Sequence, residues 1–145
     1  MAEPDAVNSV RSTEPDGLSA ATLTTILVVD DDRPSREGLR DALVHGGYAV
    51  ETAADTWQAI KKVRERPFEV AIIDLDLPPV HGVSLSGWDL VRIVRAYRPG
   101  TAIIVVSAED DVALKARAQL LRVAEFLEKP ISPTHVKALV RRFAS

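Results

Sequence analysis

From Thr25 onward, short apolar runs rich in β-branched residues alternate with longer stretches whose apolar residues recur at helical spacing. The short runs predict strands over Ile26–Asp30, Tyr48–Thr52, Val70–Asp74, Ala102–Val106 and Glu125–Glu128. Three of these are nearly all apolar, as strands covered on both faces are, which points to a parallel sheet. The longer stretches predict helices. One has Pro34 in its first turn and ends at Gly46-Gly47; the next starts near Asp55 and turns Trp57, Ile60 and Val63 inward. A third follows Ser86, where Ser86 and Asp89 have capping-box spacing and Leu90, Val91, Val94 and Tyr97 form the apolar stripe. A fourth spans Asp110 to Leu121, and a fifth begins at Ser132-Pro133 and buries Val136, Leu139, Val140 and Phe143. Five βα units with right-handed crossovers put helices on both faces of one open sheet, the doubly wound α/β class. Ligands of such sheets bind beyond the carboxyl ends of the strands.

Residues Met1 to Thr24 do not share this pattern. They mix prolines, glycine, serines, threonines and acids without a hydrophobic period, so residues 1–24 are expected to be a disordered tail before a single domain over 25–145. Hydrophobic residues at 46% and charged ones at 27% are the balance of a globular protein. A net charge of −3 provides no broad attraction to phosphate backbones or anionic lipid, so direct nucleic-acid binding and membrane insertion are not expected. Cysteine is absent, which excludes disulfides and thiolate metal sites and fits a reducing compartment. With no signal-peptide pattern and no apolar run of the roughly 20 residues that span a bilayer, the expected location is cytoplasmic.

The polar residues that matter stand at the predicted carboxyl ends. Asp30 and Asp31 follow the first strand, Asp74 ends the third, Ser107 follows the fourth and Lys129 the fifth. A doubly wound sheet gathers these into one crevice. Three carboxylates repel one another, and either raised pKa values or a bound cation must relieve them. An all-oxygen donor set with room for water suits Mg²⁺, and Lys129 suits an anionic group beside it. A carboxylate nucleophile can form an acyl phosphate, with the cations neutralising the transferred oxygens and the Ser107 hydroxyl donating to one of them.

These residues resemble the receiver domains of bacterial response regulators, over ILVVDDD at 26–32, VAIIDLDLP at 70–78, IIVVSA at 103–108 and FLEKP at 126–130. The resemblance runs from about Ile26 to the end of the chain. It implies a flavodoxin-like fold with strand order 2-1-3-4-5. It also implies that Asp74 is the phosphoacceptor, that Asp31 binds Mg²⁺ directly, that Asp30 acts through water, and that the main-chain carbonyl of Asp76 completes the protein ligands. Lys129 would contact the phosphoryl group, while Ser107 and Phe126 would form the switch. The implied donor is a phosphohistidine on a histidine kinase or phosphotransfer protein. Because the chain ends with the fifth helix, its output is expected through a separate protein partner, as a monomer or a phosphorylation-dependent homodimer. A signalling module is expected rather than a turnover enzyme.

Two departures from the family pattern stand out. PPVHGVSLSG at 78–87 is about five residues longer than the usual loop, with His81-Gly82 in place of an Asp-Gly step. Leu121-Arg122-Val123 replaces a stretch that commonly carries glycine. Asp32 reads as a helix cap rather than a ligand, His81 as a solvated loop residue, and Trp57 as core. Phe126 fits a rotating switch or plain core equally, and the Lys129-Pro130 bond is open to either isomer. Two alternatives come from other classes: a receiver that binds or dimerises without phosphorylation, and a haloacid-dehalogenase-type phosphatase using Asp74 and Asp76.

Overall fold

The computed structural model describes residues 23–80, 82 and 85–144. Five strands alternate with five helices: β1 (Thr25–Val29), α1 (Arg33–His45), β2 (Ala49–Ala53), α2 (Thr56–Glu65), β3 (Val70–Asp74), α3 (Gly87–Tyr97), β4 (Ala102–Ser107), α4 (Val112–Leu120), β5 (Glu125–Glu128) and α5 (Pro133–Phe143). All pairings are parallel and the strand order is β2-β1-β3-β4-β5. The expected disordered tail lies outside the described residues except for its last two, of which Thr24 accepts a hydrogen bond from the Ala49 N–H at 2.9 Å.

Side chains two apart share a face of a strand, and the core divides accordingly. Leu27, Val29, Ala71, Ile73, Ile103 and Val105 pack in one layer with residues of α2, α3 and α4. Their neighbours Ile26, Val28, Val70, Ile72, Ile104 and Val106 pack in the other with Leu39 and Leu43 of α1 and Val136, Leu139 and Val140 of α5. Burying each such aliphatic side chain contributes roughly 1.5–3 kcal/mol. The β3 segment VAIID is buried at every position, which explains why its sequence shows no polar alternation.

Each helix starts on a side-chain cap. Asp32, Asp55, Ser86, Asp111 and Ser132 accept from the backbone N–H three residues on, and at Ser86 the Asp89 carboxylate answers with a complete capping box. The fourth helix is shorter than expected, because Asp111 caps it and leaves Asp110 outside. Three aromatic placements differ from the sequence reading. Trp57 is 41% exposed rather than core, because α2 buries Thr56, Ala59 and Val63, and residue 57 stands about 100° around the helix from that stripe. Tyr97 is 51% exposed at the last residue of α3, one turn beyond Val94, and Phe143 is half-buried.

The turn from α4 into β5 shows what the chain does without a glycine. Arg122 adopts φ +58°, the left-handed conformation that closes a helix, while its N–H reaches Gln119 O and the Val123 N–H reaches Ala118 O. Arg95 holds this turn from α3, donating to the carbonyls of Thr101, Leu121 and Arg122 at 3.2, 3.3 and 2.7 Å.

Candidate functional site

At the carboxyl end of the sheet, β1 and β3 are adjacent and deliver their terminal acids to one place. Carboxylate oxygens of Asp30, Asp31 and Asp74 all lie within 4.8 Å of one another. Asp74 is 2% exposed, Asp30 half-buried and Asp31 exposed, so the cluster grades from the core to solvent. A cavity of about 580 Å³ opens beside it, between the start of α1 and the turn after β5, and Asp30, Asp74, Ala108 and Lys129 line it.

The buried Asp74 carboxylate has two donors. Its Oδ1 accepts the Asp76 N–H at 2.8 Å, and its Oδ2 accepts from Lys129 Nζ at 2.8 Å. Lys129 reaches there because its own N–H bonds to Ser107 O, which ties the end of β5 to the end of β4. The Lys129-Pro130 bond is cis. Partial burial pulls the Lys129 ammonium down, yet Asp74 and Asp76 together hold it above the ordinary lysine range. Burial pushes the Asp30 carboxyl up to about 6, with the nearby Asp74 carboxylate adding to the effect and the Asp32 N–H opposing it. One ammonium therefore does not satisfy three acids.

Other expected residues fall into place with more limited roles. Ser107 is 2% exposed, and its Oγ accepts the Glu109 N–H at 3.1 Å. No hydrogen bond joins it to Asp74 among the described residues. Phe126 is half-buried against the layer that contains α3 and α4. Asp32 caps α1, its carboxyl lowered by the hydrogen bonds it accepts from Ser35, and takes no part in the acidic cluster.

Three features of the site were not read from the sequence. The Asp76 side chain joins these contacts: Oδ2 accepts the Ala108 N–H at 2.9 Å and lies 3.4 Å from Lys129 Nζ. Ala108 enters through its backbone, which no side-chain pattern can signal. Gly87 opens α3 directly against the end of β3, where a Cβ would stand 2.5 Å from Leu75 Cα and 3.0 Å from Asp74 O. The helix starts after Ser86, as expected; at Gly82, with φ +72°, a Cβ would meet nothing within 4 Å. His81, Val83 and Ser84 lie outside the described residues.

An open sheet in the order 2-1-3-4-5 with an acidic crevice at its switch point and a lysine across it defines a doubly wound α/β domain of flavodoxin-like form. The chain belongs to the response regulator receiver domain family, whose profile matches residues 26–141. It is 34% identical over 122 residues to the response regulator MprA of Mycobacterium leprae (strain TN), covering 81% of this chain and 51% of that protein. It is 32% identical over 119 residues to the acid tolerance regulatory protein ActR of Rhizobium meliloti (strain 1021), with 81% and 59% covered. Chemotaxis protein CheY4 of Vibrio cholerae superposes with TM-score 0.75 and 27% identity over 84% of this chain and 99% of that one. A CheY-like receiver domain protein from Methanospirillum hungatei JF-1 gives TM-score 0.76 and 25% identity over 83% and 93%. The chain spans about half the length of the MprA proteins it matches. No helix among the described residues is long and apolar enough to cross a membrane.

Proposed function

We propose that this receiver domain is switched by transfer of a phosphoryl group from a phosphohistidine to Asp74. The observation that carries the reading is the meeting of a buried Asp74 with Asp30 and Asp31 on one side and Lys129 at 2.8 Å on the other. In this step a carboxylate oxygen of Asp74 attacks phosphorus, the phosphorus–nitrogen bond breaks and the donor imidazole leaves. Lys129 steadies the transferred oxygens, and the Ser107 hydroxyl gives up its present setting to donate to one of them.

The acids fit Mg²⁺. Their oxygens are close enough for one ion to span, all donors are oxygen, and burial together with the Asp74 carboxylate raises Asp30 to about 6. Asp31 and Asp74 would hold the ion directly with the Asp76 carbonyl, and Asp30 through water. When bound, the ion would neutralise charge on the phosphoryl oxygens.

The added charge of up to about two units then biases Ser107 and Phe126, and with them the loop into α4. The resulting surface acts on a separate protein, as a monomer or a phosphorylation-dependent dimer, in the cytoplasm where a kinase of this class presents its phosphohistidine. Intact mass after incubation with acetyl phosphate tests the core of this reading. One phosphoryl adduct that requires Mg²⁺ and is lost in Asp74→Asn is the expected result. Adduct formation retained in Asp74→Asn would overturn the assignment, and absence of any adduct on the wild-type chain would favour a phosphorylation-independent receiver.

A further inference from the structure

Lys129 is shared. Its Nζ lies 2.8 Å from Asp74 Oδ2 and 3.4 Å from Asp76 Oδ2, so one ammonium serves two carboxylates, one ending β3 and one two residues beyond it. The Asp76 carboxylate has a second donor in the Ala108 N–H at 2.9 Å. Ala108 directly follows Ser107 and lines the cavity that Asp74 and Lys129 also line. The Asp76 carboxylate is therefore an anion bound to two donors that converge beside the phosphoacceptor.

A phosphoryl group on Asp74 brings further anionic oxygens to the same ammonium, and its own neutralisation calls on the same donors. Lys129 would be divided between the two anions, and the Ala108 N–H, a single donor, cannot serve both fully. Resting on the phosphorylation reading above, we propose that the Asp76 side chain is a resident competitor for the phosphoryl-binding donors. It holds the unphosphorylated state and must let go of Lys129 and Ala108 before the phosphoryl group is fully bound. At 42% side-chain exposure it has open solvent to move into, unlike Asp74 at 3%. Its release frees the first residue after β4, so the competition ties the chemistry at Asp74 to the loop that leads into α4. Asp76 is thus a positioning residue that opposes the reaction, while its carbonyl remains free to act as a ligand.

The test compares the full chain with Asp76→Asn and Asp76→Ala at saturating Mg²⁺, following acetyl phosphate transfer by intact mass and beryllofluoride binding by the Ala108 amide resonance. Asn keeps an acceptor for Ala108 but loses the charge; Ala loses both. Both variants should be phosphorylated faster than wild type, by about tenfold for the loss of one adjacent negative charge, and should bind beryllofluoride more tightly by a similar factor. Asp110→Asn removes an exposed acid paired with Lys115 instead, and should leave the rate unchanged. In the wild type, beryllofluoride should shift the Ala108 amide as its acceptor is exchanged; in Asp76→Ala that amide should already be released. Variants that are phosphorylated no faster than a wild type which itself accepts phosphate would overturn the competitor role alone. A wild type that accepts none would overturn the reading on which it rests.

Discussion

Lys129 Nζ meets Asp74 Oδ2 at 2.8 Å across 55 positions of sequence, joining the ends of β5 and β3. Asp74 is 2% exposed, and its carboxylate accepts from that ammonium and from the Asp76 N–H. Lys129→Met should lower stability at pH 7 by about 1–2 kcal/mol, less than a fully buried pair would cost because Lys129 is 35% exposed. Combined with Asp74→Asn the loss should largely disappear, and urea unfolding of the four proteins measures the coupling. Additive effects would mean that the two groups are not energetically paired.

Mg²⁺ binding should be visible in Trp88, which is buried at the start of α3 beneath the Arg117 guanidinium, 5.7 Å from the ring centroid. Trp57 is exposed and would add an unresponsive signal, so Trp57→Phe is the better background. Titration with MgCl₂ should change the emission saturably, and Asp31→Asn should weaken the apparent affinity by about tenfold or more. An unchanged affinity would remove Asp31 from the ligand set.

Gly87 has no room for a side chain, because the obstructing atoms are the backbone of Asp74 and Leu75. Gly87→Ala should therefore push α3 off β3 and destabilise the domain by about 1–3 kcal/mol in urea melts. Gly82→Ala, strained by its positive φ but not crowded, should cost less, about 1 kcal/mol.

Arg122→Gly should act in the opposite direction. The left-handed φ of +58° disfavours any residue with a Cβ, and the bonds at this turn are made by its backbone. A gain of about 1 kcal/mol, or roughly 4 °C in Tm, is expected by calorimetry. A lower Tm would show that the arginine side chain contributes more than its conformation costs.

The α3 cap has a defined pH dependence. Asp89 accepts from the Ser86 backbone N–H and hydroxyl, which lowers its carboxyl below the ordinary value in the folded protein. A depressed folded pKa stabilises above the unfolded pKa of about 4 and loses that effect as pH falls through the folded value. Asp89→Asn should cost about 0.5–1 kcal/mol at pH 7, a modest figure for an exposed group. The deficit should shrink below about pH 4, as paired urea melts from pH 7 to pH 3 would record; a deficit that grows with acid would contradict the capping account.

The five strands, the five helices and their order were legible in the chain because burial on both faces makes β3 and β4 continuous apolar runs, while Asp32, Ser86 and Ser132 announce helix starts through chemistry local to three residues. The meeting of Asp30, Asp31, Asp74 and Lys129 was legible for a related reason: strand ends in a parallel sheet are brought together by topology, so naming the ends named the crevice. What the tertiary structure alone decided depends on backbone atoms and on precise angles. Trp57 left the core because one helical position turns a side chain through about 100°, a difference that an apolar pattern does not resolve. That Gly87 has no space for a side chain depends on how closely α3 approaches Leu75. The bond from the Ala108 N–H to the Asp76 carboxylate joins a main-chain donor to an acid 32 residues away, and only the folded sheet sets them 2.9 Å apart.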